Sequence, residues 1–145
     1  MMQRQSLALI GLLLLAAALF LINLGGYDLW PPDEPRFAQI AREMLQSRDF
    51  IVPHINNEVY SEKPPMLMWA IAAVSAPFGD VSEWTARFPS VVSALVTVLF
   101  TYLLARRLYG PRVAIWSGLV LTTMALFWWE ARSVRTDMML TACLT

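Results

Sequence analysis

Arg106-Arg107-Leu108-Tyr109-Gly110-Pro111-Arg112 lies between two long runs without a charge, and its reading decides how the chain is organised. Upstream, Phe88 to Ala105 is eighteen uncharged residues; downstream, Val113 to Trp129 is seventeen, closing on Trp128-Trp129. At ~1.5 Å per residue, each run as a helix approaches the ~30 Å hydrocarbon thickness of a bilayer. Gly110 and Pro111 are a helix-stop and a helix-start residue, so the stretch predicts a tight turn between antiparallel spans. Pro89 suits the first turn of the upstream helix, and the tryptophan pair suits a membrane–water interface. The turn holds three arginines and no acid. Cytoplasmic loops concentrate Lys and Arg, which places this turn in the cytoplasm, and Arg4 at the N-terminus agrees.

A third run, Leu7 to Leu24, is uncharged apart from the polar amide of Asn23. Twelve of its eighteen residues are Leu, Ile or Phe; at roughly −0.3 to −0.6 kcal/mol each near a bilayer centre, insertion gains at most about −4 to −7 kcal/mol. A cleaved signal peptide would have a shorter apolar core, and the Ala-x-Ala of Ala16 to Ala18 lies inside the run, so it reads as a retained anchor. Met138 to Thr145 is apolar but only eight residues long. It is expected to begin a fourth helix, and residues 1–145 to be an N-terminal fragment of a larger polytopic domain. The segment from Gly25 to Glu83, with nine acidic and four basic residues, then falls on the extracytoplasmic side. Within it Met66 to Phe78 is too short to span and contains Pro77, which predicts an interfacial or re-entrant helix.

Composition agrees. Of 145 residues 57% are hydrophobic and 15% charged, with a mean hydropathy of +0.51, against about 25% charged in soluble domains. Zero net charge and a pI near 6.6 give no electrostatic footprint for nucleic acid. Cys143 is single, so neither an internal disulfide nor a cysteine metal cluster is available. The expected class is an all-α integral membrane protein whose outer loop carries amphipathic interfacial helices.

The chemistry concentrates in that loop. In Trp30-Pro31-Pro32-Asp33-Glu34-Pro35, Asp33 occupies an N-cap position with Pro35 in the first turn. Phe37, Ile40, Ala41, Met44 and Leu45 follow helical apolar spacing, predicting a short helix on the outer membrane surface. Asp33 reads either as a cap or as a catalytic carboxylate, and Glu34 as a catalytic acid or a complement to the helix dipole. Arg36 can pair with either acid or with a phosphate. In Tyr60-Ser61-Glu62-Lys63-Pro64-Pro65, two prolines stiffen the backbone before the next helix. They hold Lys63 at the surface, where it can snorkel, bind headgroups or pair with Glu62. His54 reads as a loop residue rather than a metal ligand. Glu130, Arg132, Arg135 and Asp137 form a third cluster at the mouth of the fourth helix, where ionisable groups are functional candidates.

Asp33-Glu34-Pro35-Arg36-Phe37, Pro53-His54, Tyr60-Ser61-Glu62-Lys63-Pro64-Pro65 and Arg135-Thr136-Asp137, in that order, resemble the N-terminal part of the GT-C glycosyltransferases. Within that group the likeness is to protein O-mannosyltransferase-like enzymes and the bacterial aminoarabinose lipid A transferases. The resemblance implies inverting transfer of a sugar from a polyprenyl-phosphate donor on the outer face of the inner membrane, to lipid A, another glycan or a protein. It implies that Asp33 is the essential acid, that Arg36, Tyr60 and Lys63 lie near the donor phosphate, and that Asp137 is a second acid by the same cavity. Glu62 matches a position linked in some members to a divalent metal, leaving a metal cofactor open. Phe37 stands where the family often has Tyr, and Phe50 where it often has Trp. Departure of a polyprenyl phosphate develops negative charge that Lys63 and Arg36 can stabilise. The contrasting expectation is a small non-enzymatic membrane scaffold or transporter segment.

Overall fold

The structure, a computed structural model, describes residues 2–56 and 58–145, with side chains from Ser6 onward; the Arg4 side chain lies outside the described residues. The fold is organised on α4, Glu83–Tyr109, whose mean hydropathy is 2.0 over its most apolar eighteen residues. Among the described residues it is the one unbroken helix long and apolar enough to cross a membrane. It starts five residues earlier than Phe88 because Ser82 and Thr85 form a capping box: Ser82 Oγ accepts from the Thr85 N–H, and Thr85 Oγ1 from the Ser82 N–H. Pro89 therefore sits inside the helix instead of in its first turn, and it withholds one N–H from the ladder. The early start also draws Arg87 into the helix.

Gly110, at φ +90°, makes the expected turn into α5, Pro111–Thr123. The predicted single span over 113–129 is instead two pieces. Helix α6, Ala125–Ala131, is bent 69° from α5 at Met124, whose backbone is extended. The Thr122 and Thr123 hydroxyls donate to the carbonyls of Gly118 and Leu119, back-bonding that bends helices. The new direction lets Trp128 Nε1 and Arg132 Nη1 donate to the Leu19 carbonyl of α1, Met2–Leu21.

Helix α1 stops three residues short of the expected Leu24, because Asn23 takes a left-handed φ of 55°. Its residues Leu12, Ala16 and Phe20 recur every fourth position, so they form one stripe. They are buried in the clusters that also hold Val91, Ala94 and Val98 of α4. Gly118 permits the close approach of α5: a Cβ there would run into the Leu12 side chain.

The outer segment contains α2, Asp33–Ser47, and α3, Met66–Ser75, which continues as a 3-10 turn through Phe78. Phe37, Ile40, Ala41 and Met44 form the predicted apolar face of α2. That face is covered by Leu67, Met68, Ile71 and Ala72 of α3 together with Val81, Ala86 and Val134. It is therefore turned into protein, because α3 supplies a matching aliphatic stripe. His54 belongs to a small hairpin and not to a plain loop: strand β1, His54–Ile55, pairs antiparallel with β2, Glu58–Val59. Asn56 at φ 53° opens its turn, a conformation asparagine tolerates. The last helix, α7, is Thr136–Leu144, which puts Asp137 in its first turn.

Arg42 clamps α2 to the segment between α3 and α4. Its Nε lies 2.7 Å from Asp80 Oδ1, and its Nη2 donates to the Val81 carbonyl at 2.7 Å. The Arg42 hydrogen bond, followed by the Val81 N–H, holds the Asp80 carboxyl below its usual range. A lowered folded-state pKa contributes stability above the ordinary carboxyl value, lost as pH falls through the lowered one. Hydrogen exchange at residues 79–82, corrected for intrinsic rates, should stay flat from neutral pH to about 4 and rise only below it. Asp80→Asn should raise exchange across the range; a rise beginning near pH 6 would contradict the clamp.

Candidate active site

The N-terminus of α2, the 60–65 segment and the start of α7 converge, and the deepest tie among them is an ion pair. Arg87 is fully buried and Glu34 is 5% exposed. Arg87 Nη2 lies 2.7 Å from Glu34 Oε2, with Nε 3.4 Å from Oε1. Nη1 donates to the carbonyls of Leu24 and Tyr27, and Nη2 also to that of Asp28, all at 2.9 Å. These contacts use all five guanidinium donors, and the guanidinium lies 3.8 Å from the centre of the Tyr27 ring. Glu34 in turn accepts from the N–H groups of Trp30 and Val134, each at 2.8 Å. One pair thus joins the 24–30 segment, α2, α4 and the α6–α7 link. Glu34, expected as a catalytic acid or a complement to the helix dipole, has both of its oxygens committed inside the protein, the geometry of a group that positions its neighbours.

Asp33 differs from its neighbour. Pro32 is the N-cap, with a helical backbone and no side-chain cap bond, so Asp33 is the first helical residue and not the predicted cap. Pro32 has no side-chain acceptor to offer, and its backbone already follows the helix. Among the described residues the Asp33 carboxylate has neither a hydrogen bond nor an ion pair. It lines a narrow crevice with Trp30, Pro31, Trp129, Ser133, Arg135 and Glu34 itself, whose oxygens are already taken. The Asp33 lone pairs remain open to a ligand.

Arg36 faces Glu62 at 3.6 Å rather than either acid beside it, and Glu62 is 69% exposed, so the pair adds little stability. The expected Glu62–Lys63 pairing is replaced by this contact, which the proximity of the α2 N-terminus makes available. Lys63 instead shares a cavity of about 290 Å³ with Asp137, its floor built from Met66, Leu67, Met139 and Leu140. A cation and an anion stand at the rim of a mainly apolar hollow. Tyr60 is buried; its N–H donates to the Pro53 carbonyl, and its hydroxyl is enclosed with no protein partner. Arg135 holds Glu130 Oε1 at 3.3 Å, leaving Glu130 Oε2 buried and unbonded.

Glu62, expected as a metal ligand from the resemblance, stands in a different setting. Its carboxylate faces a guanidinium, and no group of three or more His, Cys, Asp or Glu suited to a metal occurs among the described residues. Phe37, where the family often has Tyr, is buried in the core cluster beside Ile40 and Leu67. One buried arginine went unread in the sequence. Arg87 stands one position before an uncharged run and looks like a span flank; its partner is 53 positions away. Arg132, already a candidate in the third cluster, is buried too, donating to the Leu19 carbonyl with its guanidinium 4.6 Å from the Trp128 ring centre. The only signal for Arg87 was an arginine abutting an apolar run without an adjacent acid.

The helical fold, with its membrane-length helix, matches ArnT, a membrane protein of the GT-C class. Residues 62–145 match the family described as dolichyl-phosphate-mannose-protein mannosyltransferase, and the chain belongs to that family. It is 44% identical over 113 residues to an undecaprenyl phosphate-alpha-4-amino-4-deoxy-L-arabinose arabinosyl transferase of Pseudomonas savastanoi pv. phaseolicola, covering 76% of this chain and 21% of that protein. A Pseudomonas fluorescens transferase of the same name, numbered 1, is 39% identical over 131 residues, covering 90% of this chain and 23% of its own length. The fold matches the crystal structure of ArnT from Cupriavidus metallidurans bound to undecaprenyl phosphate with a TM-score of 0.86 and 32% identity, covering 93% of this chain and 25% of ArnT. The chain spans about a fifth to a quarter of the length of these relatives.

Proposed function

We propose that the whole protein, of which residues 1–145 form an N-terminal part, transfers a sugar from a polyprenyl-phosphate donor to lipid A or a related acceptor. The observation that carries this reading is the cavity shared by Lys63 and Asp137, where a cation stands over an aliphatic floor. An anionic headgroup on an isoprenoid chain asks for that combination. The relatives named for an undecaprenyl-phosphate-linked amino sugar, and the ArnT structure bound to undecaprenyl phosphate, support it.

In this reading the chain's N-terminus and the Arg106–Arg112 turn are cytoplasmic, as the positive-inside rule predicts. Residues 25–83 then face the periplasm, with α2 and α3 at the membrane surface. Lys63 and Arg36 stabilise the charge that develops on the departing phosphate, an effect strongest where water is excluded. Tyr60, with its unpartnered hydroxyl, supplies a further donor. Asp33 orients the acceptor or takes its proton, and Asp137 balances Lys63 across the cavity.

The test is sugar transfer by the complete protein from an undecaprenyl-phosphate-linked aminoarabinose donor to lipid A. Lys63→Ala should lower turnover by about 10²–10³, with part recovered in Lys63→Arg. Full activity in Lys63→Ala overturns the assignment of the cavity.

A further inference from the structure

A second hollow, far more apolar than the first, lies at the other end of α3. Leu45, Phe50, Ile51, Trp69, Ala72 and Ala76 line a concavity of about 530 Å³. At its lip the short loop 49–52 pushes apolar side chains outward: Ile51 is 85% exposed, with Phe50 and Val52 also exposed. Part of the loop's backbone is bonded from within. Asp49 Oδ1 accepts from the N–H groups of Ile51 and Val52, the Asp49 N–H donates to Ser47 Oγ, and Trp69 Nε1 donates to the Phe50 carbonyl at 2.6 Å. Pro53, which follows, has no N–H to satisfy. Each backbone group bonded within the protein lowers the cost of bringing the loop to a lipid interface, and three of its N–H groups and the Phe50 carbonyl are so bonded.

The occupant is set by what α3 is attached to. Its Ser75 hydroxyl donates to Thr85 Oγ1 at 2.8 Å, pinning it to the first turn of the membrane-length helix α4. Phe78, Trp84 and Phe88 form an aromatic ladder at the same corner, with ring centres 6.4 and 4.8 Å apart, and Phe78 is largely exposed. Aromatic side chains of this kind gather at the level of lipid headgroups. The helix that carries one wall of the apolar hollow is thus fixed to the aromatic-flanked start of the membrane-length helix α4. On the other side of the same loop, Glu43, Gln46, Ser47 and His54 form a polar, water-compatible face.

Resting on the membrane orientation given above, we propose that loop 49–52 is a lipid-inserting wedge. Ile51 and Phe50 enter the outer leaflet, and the hollow beside Trp69 seats a lipid acyl chain. The wedge would hold α3, and through it Lys63 at the start of that segment, at a fixed depth.

The test places an environment-sensitive fluorophore on Ile51→Cys in a cysteine-free version of the complete protein, in phosphatidylcholine nanodiscs with or without brominated acyl chains. Gln46→Cys on the polar face is the control. At position 51 the emission should shift to the blue and be quenched by brominated lipid but not by aqueous iodide; at 46 the order should reverse. Quenching by iodide at 51 overturns the wedge. Shielding from both quenchers also overturns it, because another protein segment or a second copy then covers the hollow. Sugar transfer by the same labelled protein is read separately, so a wedge that fails beside intact transfer leaves the proposed function standing.

Discussion

Arg87→Ala is expected to cost about 3–5 kcal/mol of stability, the cost of stranding a buried charge by removing its partner. The substitution leaves the Glu34 carboxylate, 5% exposed, facing an empty volume. It also frees the carbonyls of Leu24, Tyr27 and Asp28, which Arg87 serves together. Buried acceptors without donors carry their own desolvation cost. Glu34→Gln keeps acceptors for the Trp30 and Val134 N–H groups but leaves Arg87 without a counter-charge, so it too should destabilise. The double change Glu34→Gln with Arg87→Met should cost less than the sum of the two single changes, because neither leaves a lone charge. Thermal unfolding in detergent, read by intrinsic fluorescence, measures all three. A wild-type unfolding temperature for Arg87→Ala would refute the keystone role. Turnover per folded molecule should fall less than the folded fraction, since Arg87 is fully buried and the Glu34 oxygens are taken by Arg87 and two N–H groups.

The neighbouring carboxylate should behave in the opposite way. Asp33→Asn is expected to lower sugar transfer by the complete protein by about 10²–10⁴, the usual contribution of a positioned general acid or base, with little change in unfolding temperature. Asp33 has no described intramolecular partner to lose; it lines the crevice beside Glu34 and Arg135, but of the two acids only Glu34 has its oxygens bonded. If it acts on the acceptor, the loss falls on kcat while donor affinity is retained. Asp33→Asn with full turnover, or with a loss of stability like that of Glu34→Gln, would show that the two acids have been assigned the wrong way round.

These adjacent residues also show how far the sequence could be read. Asp33 and Glu34 look alike there: both precede an amphipathic helix and both complement its dipole. Which one is buried depends on the direction of each side chain when Pro32 takes the N-cap. It depends as well on an arginine 53 positions away. The turn at Gly110-Pro111, the helix over Met66 to Phe78 and the apolar face of α2 were legible, because each rests on short-range rules of spacing and backbone preference. The break at Met124 was not, although Thr122-Thr123 carried a hint of it. A hydropathy run records partition into lipid, not whether the helix stays straight. The N-terminal extension of α4 to Glu83 was missed because Pro89 is an equally good helix start when the Ser82–Thr85 box is not recognised.

By itself the sequence determined the helical membrane class, the charge asymmetry between the Arg106–Arg112 turn and the 25–83 segment, and the order of the motifs that mark the family. Those properties are sums over neighbouring residues: bilayer partition, helical period and local charge. Only the tertiary structure decided that Glu34 belongs to Arg87, that Arg36 faces Glu62, and that Lys63 meets Asp137 across an apolar hollow. Burial of a charge is tolerated only where a distant partner and several carbonyls converge on it, and that convergence exists only once the helices have packed.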